Sequence, residues 1–291
     1  MESELKAALV SPEKRLPPTL RIIRLLANGI SGTLAPLLWL LDGASCRPIQ
    51  VNEHLDGIEV IAKGLDNPRR ALLYLHGGAH FFGSVWTHRE FLGRISNAWG
   101  TRVVAINYRL SPEHAFPSSL EDTLTAWTWM LEQYPGHEVA VAGDSAGGTL
   151  AFGLLVRLAQ LQRSQPQLCI GISPWLCLEQ VPRIFRRISR MYAQGHAVRD
   201  PLVSPLHVDA EVAKSFPPVI IHAAEEEWFT KDAEGMASLC QRVGVAADLK
   251  LYTGMIHGFQ VFPLLFPASS QDSLQRICSF WDQLAGRKSC L

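Results

Sequence analysis

Short, continuously apolar runs that alternate with stretches of helical periodicity constrain the fold of this chain most. Strands buried on both faces of a sheet have unbroken apolar runs, and strands that alternate with helices pair in parallel. The pattern therefore predicts an α/β fold with a mostly parallel central sheet flanked by helices. The predicted strands are Ile58–Ala62, Ala71–Leu75, Val103–Ile106, Val139–Ala142, Leu168–Ile172, Val219–His222 and Leu249–Tyr252. The predicted helices include Leu120–Glu132, Thr149–Gln162, Ala233–Arg242 and a last helix through Leu274, Ile277, Trp281 and Leu284, with Ser269 or Ser270 as its cap.

One interval, from Pro174 to Phe216, contains no convincing strand. Insertions of this size within an α/β sheet are usually functional lids or caps. Four arginines inside it recur at helical spacing and predict an amphipathic helix with one basic face. We favour a solvated outer face of a cap helix, and contact with an anionic membrane surface or an acidic substrate is the alternative. These arginines are Arg183, Arg186, Arg187 and Arg190.

The composition excludes several classes of protein. The chain has 291 residues with 27 basic and 27 acidic side chains, no net charge, and 47% hydrophobic residues. A disordered chain would be less apolar, and a nucleic-acid-binding protein would normally carry a basic excess. We expect a single globular domain without a nucleic-acid partner.

The cysteines and the N-terminal segment bear on the compartment. No cysteine belongs to a C-x-x-C pair, and Cys169 and Cys177 lie in apolar stretches that predict buried free thiols. The start of the chain lacks the basic and apolar regions of a signal peptide, so we expect a cytoplasmic protein. Leu25–Leu41 spans 17 residues, against roughly 20 for a membrane-spanning helix. We expect two short helices there, packed on the domain or dipping into a lipid interface.

The strongest local signal is Gly143-Asp144-Ser145-Ala146-Gly147, a G-x-S-x-G that directly follows a predicted strand. A sharp strand-to-helix turn needs small residues on both sides and exposes the serine hydroxyl above the sheet. The positive end of the following helix dipole points at that hydroxyl. The context predicts a nucleophilic serine, Ser145.

A second motif, His76-Gly77-Gly78-Ala79, follows another predicted strand. Glycines there leave backbone N–H groups bare, and such a loop pairs with the N–H of the residue after the serine in lipases and esterases. We therefore expect Gly77, Gly78 and Ala146 to form an oxyanion hole. We expect His76 to organise this loop, because its spacing to His80 and His88 gives no metal-binding motif.

A serine nucleophile needs a general base and an acid that orients it. His257 follows the last predicted strand, where an α/β sheet places its site, and is the predicted base. Glu225, Glu226 and Glu227 follow another buried strand, in the chain order Ser, acid, His. Spacing alone allows any of the three, and Asp232 is a less favoured candidate.

Between about Arg70 and Leu284 the chain resembles the hormone-sensitive-lipase-like family of α/β-hydrolase carboxylesterases. The resemblance rests on five motifs in family order. They are His76–Ala79, Asn107-Tyr108-Arg109-Leu110-Ser111-Pro112-Glu113-His114 with Phe116-Pro117, Gly143–Gly147, Arg199-Asp200-Pro201-Leu202-Val203-Ser204-Pro205, and His257-Gly258-Phe259. The chain departs from the family in Ala79, where a third glycine is usual, and in a glutamate where the acid is more often aspartate.

The resemblance implies Ser145 as nucleophile and His257 as base. Nine positions after Pro218, where the family places its acid, stands Glu227, which we prefer to Glu226. It also implies a cap built from residues 1–45 and 174–216 over a catalytic core of residues 46–173 and 217–291.

The implied activity is hydrolysis of short- to medium-chain carboxylic esters through an acyl-enzyme. The same site could serve a lactonase, an amidase or a biosynthetic deacetylase, and a non-catalytic small-molecule receptor of this fold is less favoured. The expected partner is a small ester substrate. No metal or organic cofactor is required.

Overall fold

The computed structural model describes residues 24–25 and 44–286. The predicted short helices of the N-terminal segment fall outside these residues, apart from a helical Arg24 and Leu25. All seven predicted strands are confirmed, and an unpredicted edge strand precedes them. The strands are β1 (Ala44–Gln50), β2 (Asp56–Ala62), β3 (Arg70–Leu75), β4 (Thr101–Ile106), β5 (Glu138–Asp144), β6 (Cys169–Ile172), β7 (Val219–Ala224) and β8 (Ala247–Tyr252).

These strands form one sheet in the order β1-β2-β4-β3-β5-β6-β7-β8. β1 pairs antiparallel with β2, and β2 antiparallel with β4, whereas the pairs from β4 to β8 are parallel. The predicted α/β class with a mostly parallel sheet is therefore confirmed. The carboxyl ends of β3, β5, β7 and β8 lie along one edge, where an open α/β sheet binds its ligands.

Helices cover both faces of the sheet. They are α1 (Val85–Trp99), α2 (Ser118–Gln133), α3 (Ala146–Gln160), α4 (Arg183–Ala193), α5 (Ala210–Ala213), α6 (Thr230–Arg242) and α7 (Pro267–Leu284). One apolar cluster joins α1 and α7 to side chains such as Leu72 and Ile220, and the other joins α2, α3 and α6 to the opposite face through Leu73 and Ile221. Alternate residues of each strand thus pack into the apolar clusters on opposite faces of the sheet, which explains the unbroken apolar runs.

Two details differ from the sequence-based expectations. Helix α1 was not predicted, and α7 begins at Pro267, so Ser269 and Ser270 lie inside the helix and do not cap it. The hydroxyl of Ser270 instead lies 3.3 Å from the carbonyl oxygen of Phe259. Proline suits the first turn of a helix because its missing N–H needs no partner there.

The interval 174–216 contains no strand, as predicted, and holds α4, α5 and a 3-10 turn at Pro205–His207. The four arginines of α4 are exposed, whereas Ile188 and Tyr192 on the same helix are buried. The predicted amphipathic helix is confirmed. The thiols of Cys169 and Cys177 are free and buried, also as predicted. Among the described residues, no helix is both long and apolar enough to span a bilayer.

Candidate active site

Ser145 lies at the sharp turn between β5 and α3. Its backbone has φ 51° and ψ −117°, a conformation that is costly for a residue with a side chain and that concentrates at functional sites. Its N–H donates to the carbonyl of Ile172 at 2.9 Å, which ties the turn to β6. A Cβ on Gly147 would overlap the carbonyl oxygen of Leu75, so the turn approaches β3 too closely for any other residue. A Cβ on Gly143 would overlap the carbonyl oxygen of Gly147, so the close packing of the turn explains both glycines of the motif.

His257 lies in the loop after β8 and contacts a carboxylate. Its Nδ1 lies 2.8 Å from Glu227 Oε2, and the Glu227 side chain is 2% exposed. The ring of Phe229 packs edge-on against the imidazole at 5.3 Å. The N–H of Gly258 donates to Ser173 Oγ at 3.1 Å and fixes the loop beside the end of β6. His257 is thus held in one orientation from two sides.

The other candidate acids have different surroundings. Glu225 and Glu226 are exposed, so two of the three adjacent glutamates face solvent. Asp232 is buried and accepts the N–H groups of Leu176 and Cys177 at 2.8 Å each. Burial, only partly offset by these two hydrogen bonds, raises the pKa of Asp232 to about 6. Asp232 therefore serves the start of the 174–216 interval and not the imidazole.

Ser145 and His257 line the same cavity, of about 450 Å³. Within the part of the chain that the structure describes, no hydrogen bond of 3.5 Å or less joins Ser145 Oγ to His257. Such bonds are often long without substrate and tighten in the complex. Apolar side chains supply much of the remaining wall. They are Ala79, Phe82, Phe185, Phe229, Val261 and Phe262.

Gly77 does not fit the role of an oxyanion donor. Its N–H donates to Asp144 Oδ1 at 2.8 Å, so the donor faces a carboxylate and not the cavity. The prediction that Gly77 contributes to an oxyanion hole is therefore wrong in this conformation. Glycine is nevertheless required at this position, because a Cβ would overlap the Asp144 carboxylate.

In the next two peptide groups of the loop, the carbonyl oxygen and not the N–H is held by a hydrogen-bond partner. The carbonyl oxygen of Gly77 lies 2.7 Å from His76 Nδ1, and that of Gly78 accepts two N–H groups of the following turn at 3.0 Å each. Since C=O and N–H point in opposite directions in a trans peptide, the N–H groups of Gly78 and Ala79 point away from these partners. Neither they nor the N–H of Ala146 have a hydrogen-bond partner among residues 24–25 and 44–286. The available donors are therefore those of Gly78, Ala79 and Ala146.

His76 contacts the glycine loop as the sequence indicated. Its ring stacks on Tyr108 at 4.3 Å, and the Tyr108 hydroxyl donates to the carbonyl of His76 at 2.6 Å. Burial lowers the pKa of His76 to about 4, so the ring is neutral at physiological pH. A neutral ring with its proton on Nδ1 is the donor that the Gly77 carbonyl requires.

Sequence reasoning missed a buried polar network beneath the loop. Asp144 Oδ1 accepts the Tyr74 hydroxyl at 2.7 Å in addition to the Gly77 N–H. His88 Nε2 lies 3.3 Å from Oδ1 and 3.4 Å from Oδ2 of the same carboxylate. The one available signal was an acidic residue inside the serine motif, because a charge in a buried turn needs a partner.

Comparison with known proteins gives the family. A sequence profile of the α/β hydrolase fold family matches residues 72–261. The chain belongs to this family. It is 32% identical over 214 residues to an acetyl-hydrolase of Streptomyces hygroscopicus, which covers 68% of this chain and 71% of that protein. It is 27% identical over 290 residues to an esterase of Acinetobacter venetianus, covering 93% and 91% respectively.

Solved structures agree with this assignment. The crystal structure of an esterase from the bacterial hormone-sensitive lipase family superimposes on this α/β hydrolase with a TM-score of 0.78 and 29% identity. The match covers 89% of this chain and 91% of that one. The resemblance to the hormone-sensitive-lipase-like family is therefore confirmed.

Proposed function

We propose that this α/β hydrolase is a serine carboxylesterase that cleaves short- to medium-chain esters through an acyl-enzyme on Ser145. Its family and its relatives named as esterases make it a carboxylic ester hydrolase. The observation that carries the serine mechanism is the Glu227–His257 contact of 2.8 Å, in a loop that lines the same cavity as Ser145.

In the proposed mechanism, Ser145 Oγ attacks the ester carbonyl while His257 Nε2 accepts the hydroxyl proton. Glu227 binds the other ring nitrogen, fixes the tautomer and stabilises the imidazolium that forms. His257 then protonates the departing alcohol. Water attacks the acyl group on Ser145 by the same route and releases the acid.

The tetrahedral intermediate places negative charge on the former carbonyl oxygen. We assign its stabilisation to the N–H groups of Gly78, Ala79 and Ala146, because the Gly77 N–H is held by Asp144. Loss of one oxyanion-hole donor raises the barrier by about 3–4 kcal/mol in a serine protease of unrelated fold. Ala79 serves as well as a third glycine here, since only its backbone donates.

The acyl group is proposed to occupy the apolar part of the cavity. The interval 174–216 contributes Phe185 of α4 to the cavity wall, which supports a role for this interval as a cap. Arg24, from the N-terminal segment, donates to the carbonyl of Phe81 at 2.6 Å and to Glu113 at 2.8 Å. This contact with the glycine loop supports the proposal that the N-terminal segment completes the cap.

The proposal is tested by turnover of p-nitrophenyl esters of increasing acyl length by the wild type and Ser145→Ala. We expect the wild type to hydrolyse the short and medium esters and Ser145→Ala to lose this activity. Activity that survives in Ser145→Ala, or its absence on every ester in the wild type, would overturn the proposal. Parallel assays with a lactone and an anilide separate an esterase from a lactonase or an amidase.

A further inference from the structure

The serine motif places a buried carboxylate next to the proposed nucleophile. The Asp144 side chain is 8% exposed and lines the same cavity as Ser145. A negative charge there repels the oxyanion that forms on the substrate, and a water-poor site amplifies the repulsion. An acid at this position therefore needs a function that outweighs its repulsion of the oxyanion.

The contacts of Asp144 indicate that function. Its Oδ1 accepts the N–H of Gly77, and the Tyr74 hydroxyl fixes the same oxygen from β3. With the Gly77 carbonyl held at 2.7 Å by His76 Nδ1, both peptide groups of Gly77 are fixed. The second of these two groups carries the N–H of Gly78, and the next peptide group, which carries the N–H of Ala79, follows directly from it.

His88 is placed to neutralise the carboxylate. Its Nε2 lies within 3.4 Å of both Asp144 oxygens, and its Nδ1 lies 2.8 Å from Thr87 Oγ and 3.4 Å from the carbonyl of Ser84. Both ring nitrogens thus face acceptors, which is the environment of an imidazolium. Burial acts to lower the pKa of His88, but the Asp144 carboxylate outweighs it and the pKa is raised.

The other titratable groups that face His88 are consistent with this charge. They are Tyr74 on β3, at 6.1 Å between ring centroids, and His76, at 5.6 Å. The pKa of His76 is lowered to about 4 by burial first and by the charge of His88 second, so His76 stays neutral. His88 therefore carries the positive charge, and the neutral His76 donates a hydrogen bond to the Gly77 carbonyl.

We propose that Asp144, Tyr74 and His88 are positioning residues, in which the carboxylate anchors the oxyanion loop and His88 cancels its charge beside the oxyanion. This inference rests on the proposed function. It predicts that, once the charge of His88 is removed, the Asp144 carboxylate lowers kcat more than a neutral side chain of the same shape would. A purely structural pair would instead couple in the free energy of unfolding and leave kcat of the folded enzyme unchanged.

The test is a double-mutant cycle on kcat and KM for p-nitrophenyl butyrate at neutral pH, with His88→Gln, Asp144→Asn and the double variant. Asparagine keeps an oxygen that accepts the Gly77 N–H but removes the charge. A unit charge about 6 Å from the oxyanion, at an effective dielectric constant of about 20, slows the reaction about 100-fold. We expect that loss in kcat for His88→Gln with little change in KM, and about 10-fold recovery when Asp144→Asn is added.

A matched tyrosine pair keeps the test decisive if a His88 variant fails to fold. Tyr74 and Tyr134 each donate a buried hydroxyl to a carboxylate, at 2.7 Å to Asp144 and 2.8 Å to Glu59. We expect Tyr74→Phe to lower kcat about 10-fold and Tyr134→Phe to leave it within about twofold, because only the first carboxylate anchors the loop.

Two outcomes would overturn the positioning role. One is a double variant with a kcat at or below the product of the two single losses, and the other is an equal effect of Tyr74→Phe and Tyr134→Phe. An inactive wild type, or an active Ser145→Ala, would instead overturn the proposed function itself.

Discussion

Glu227 Oε2 lies 2.8 Å from His257 Nδ1, and Glu227 Oε1 has no hydrogen-bond partner in the described part of the chain. When the one hydrogen bond of a buried carboxylate goes to an imidazole, their interaction becomes stronger as the ring acquires a positive charge. This relationship is the structural basis for assigning Glu227 and His257 to one catalytic unit.

The first prediction concerns this pair. Glu227→Gln should lower kcat by about 10³–10⁴-fold, because glutamine neither fixes the tautomer that presents Nε2 to the serine nor stabilises the imidazolium. The control is Glu226→Gln, which changes an exposed neighbour and should leave kcat within about twofold. The measurement is steady-state hydrolysis of p-nitrophenyl butyrate. Equal losses in the two variants would contradict the assignment of Glu227.

A second prediction concerns acyl-chain selectivity. Phe185 lines the cavity and packs against Phe229 at 5.6 Å and Trp228 at 5.0 Å. Phe185→Ala should enlarge the acyl site, so that kcat/KM for longer p-nitrophenyl esters rises relative to the acetate by about 10-fold, the effect of one or two methylene groups. The exposed Phe262 also lines the cavity. The control variant is Leu265→Ala, because Leu265 is exposed as well but does not line the cavity. An unchanged length profile in Phe185→Ala would place the acyl group elsewhere.

A third prediction concerns stability in acid. Burial lowers the pKa of His76 to about 4 and those of His80 and His222 to about 3. The unfolded chain binds protons at these histidines below about pH 6.5, whereas the folded chain does not. Lowering the pH from 6 towards 4 therefore favours unfolding, by up to about 4 kcal/mol per pH unit for three protons.

Urea unfolding at several pH values checks this slope. His222→Asn removes one of the three groups, one that does not line the cavity of Ser145 and His257, and should reduce the slope by about one proton. The control variant is His54→Gln, which replaces an exposed histidine. An identical slope in the wild type and His222→Asn would show that His222 does not contribute.

A fourth prediction concerns the basic face of α4. Its four arginines are exposed, and none of them forms an ion pair with another described residue. A solvated face predicts that Arg186→Gln with Arg187→Gln changes the free energy of unfolding by less than about 1 kcal/mol and leaves kcat/KM unchanged. The wild type should not co-sediment with anionic vesicles more than with neutral ones. Enrichment on anionic vesicles that is lost in the double variant would favour the membrane alternative.

Much of the fold was predictable because the parallel strands are buried on both faces and so have unbroken apolar runs. The edge strand β1 lacked this signal, since its residues are half-exposed and include Arg47 and Pro48, which suit a strand edge. Helix α1 was missed because it begins with Val85 and Trp86 and carries Gly93, which are weak helix formers.

The proposed site could be predicted where a local turn dictates the residue type. Motifs that follow strands predict Ser145 and His257 as nucleophile and base, whereas only the family resemblance distinguishes Glu227 from its neighbours. The error at Gly77 arose because the direction of an N–H depends on the rotation of its peptide plane. That rotation is set by Asp144, 67 residues away along the chain. No local pattern encodes a contact of this kind.

The central claim is that Ser145 is the acylated nucleophile, and covalent labelling tests it most directly. The wild type is incubated with diethyl p-nitrophenyl phosphate, and the modified residue is found by intact-mass measurement and peptide mapping. We predict one phosphoryl group per chain, on Ser145, with release of p-nitrophenol and loss of esterase activity in the same proportion. Label on another residue, or full esterase activity in a chain labelled at Ser145, would contradict the account.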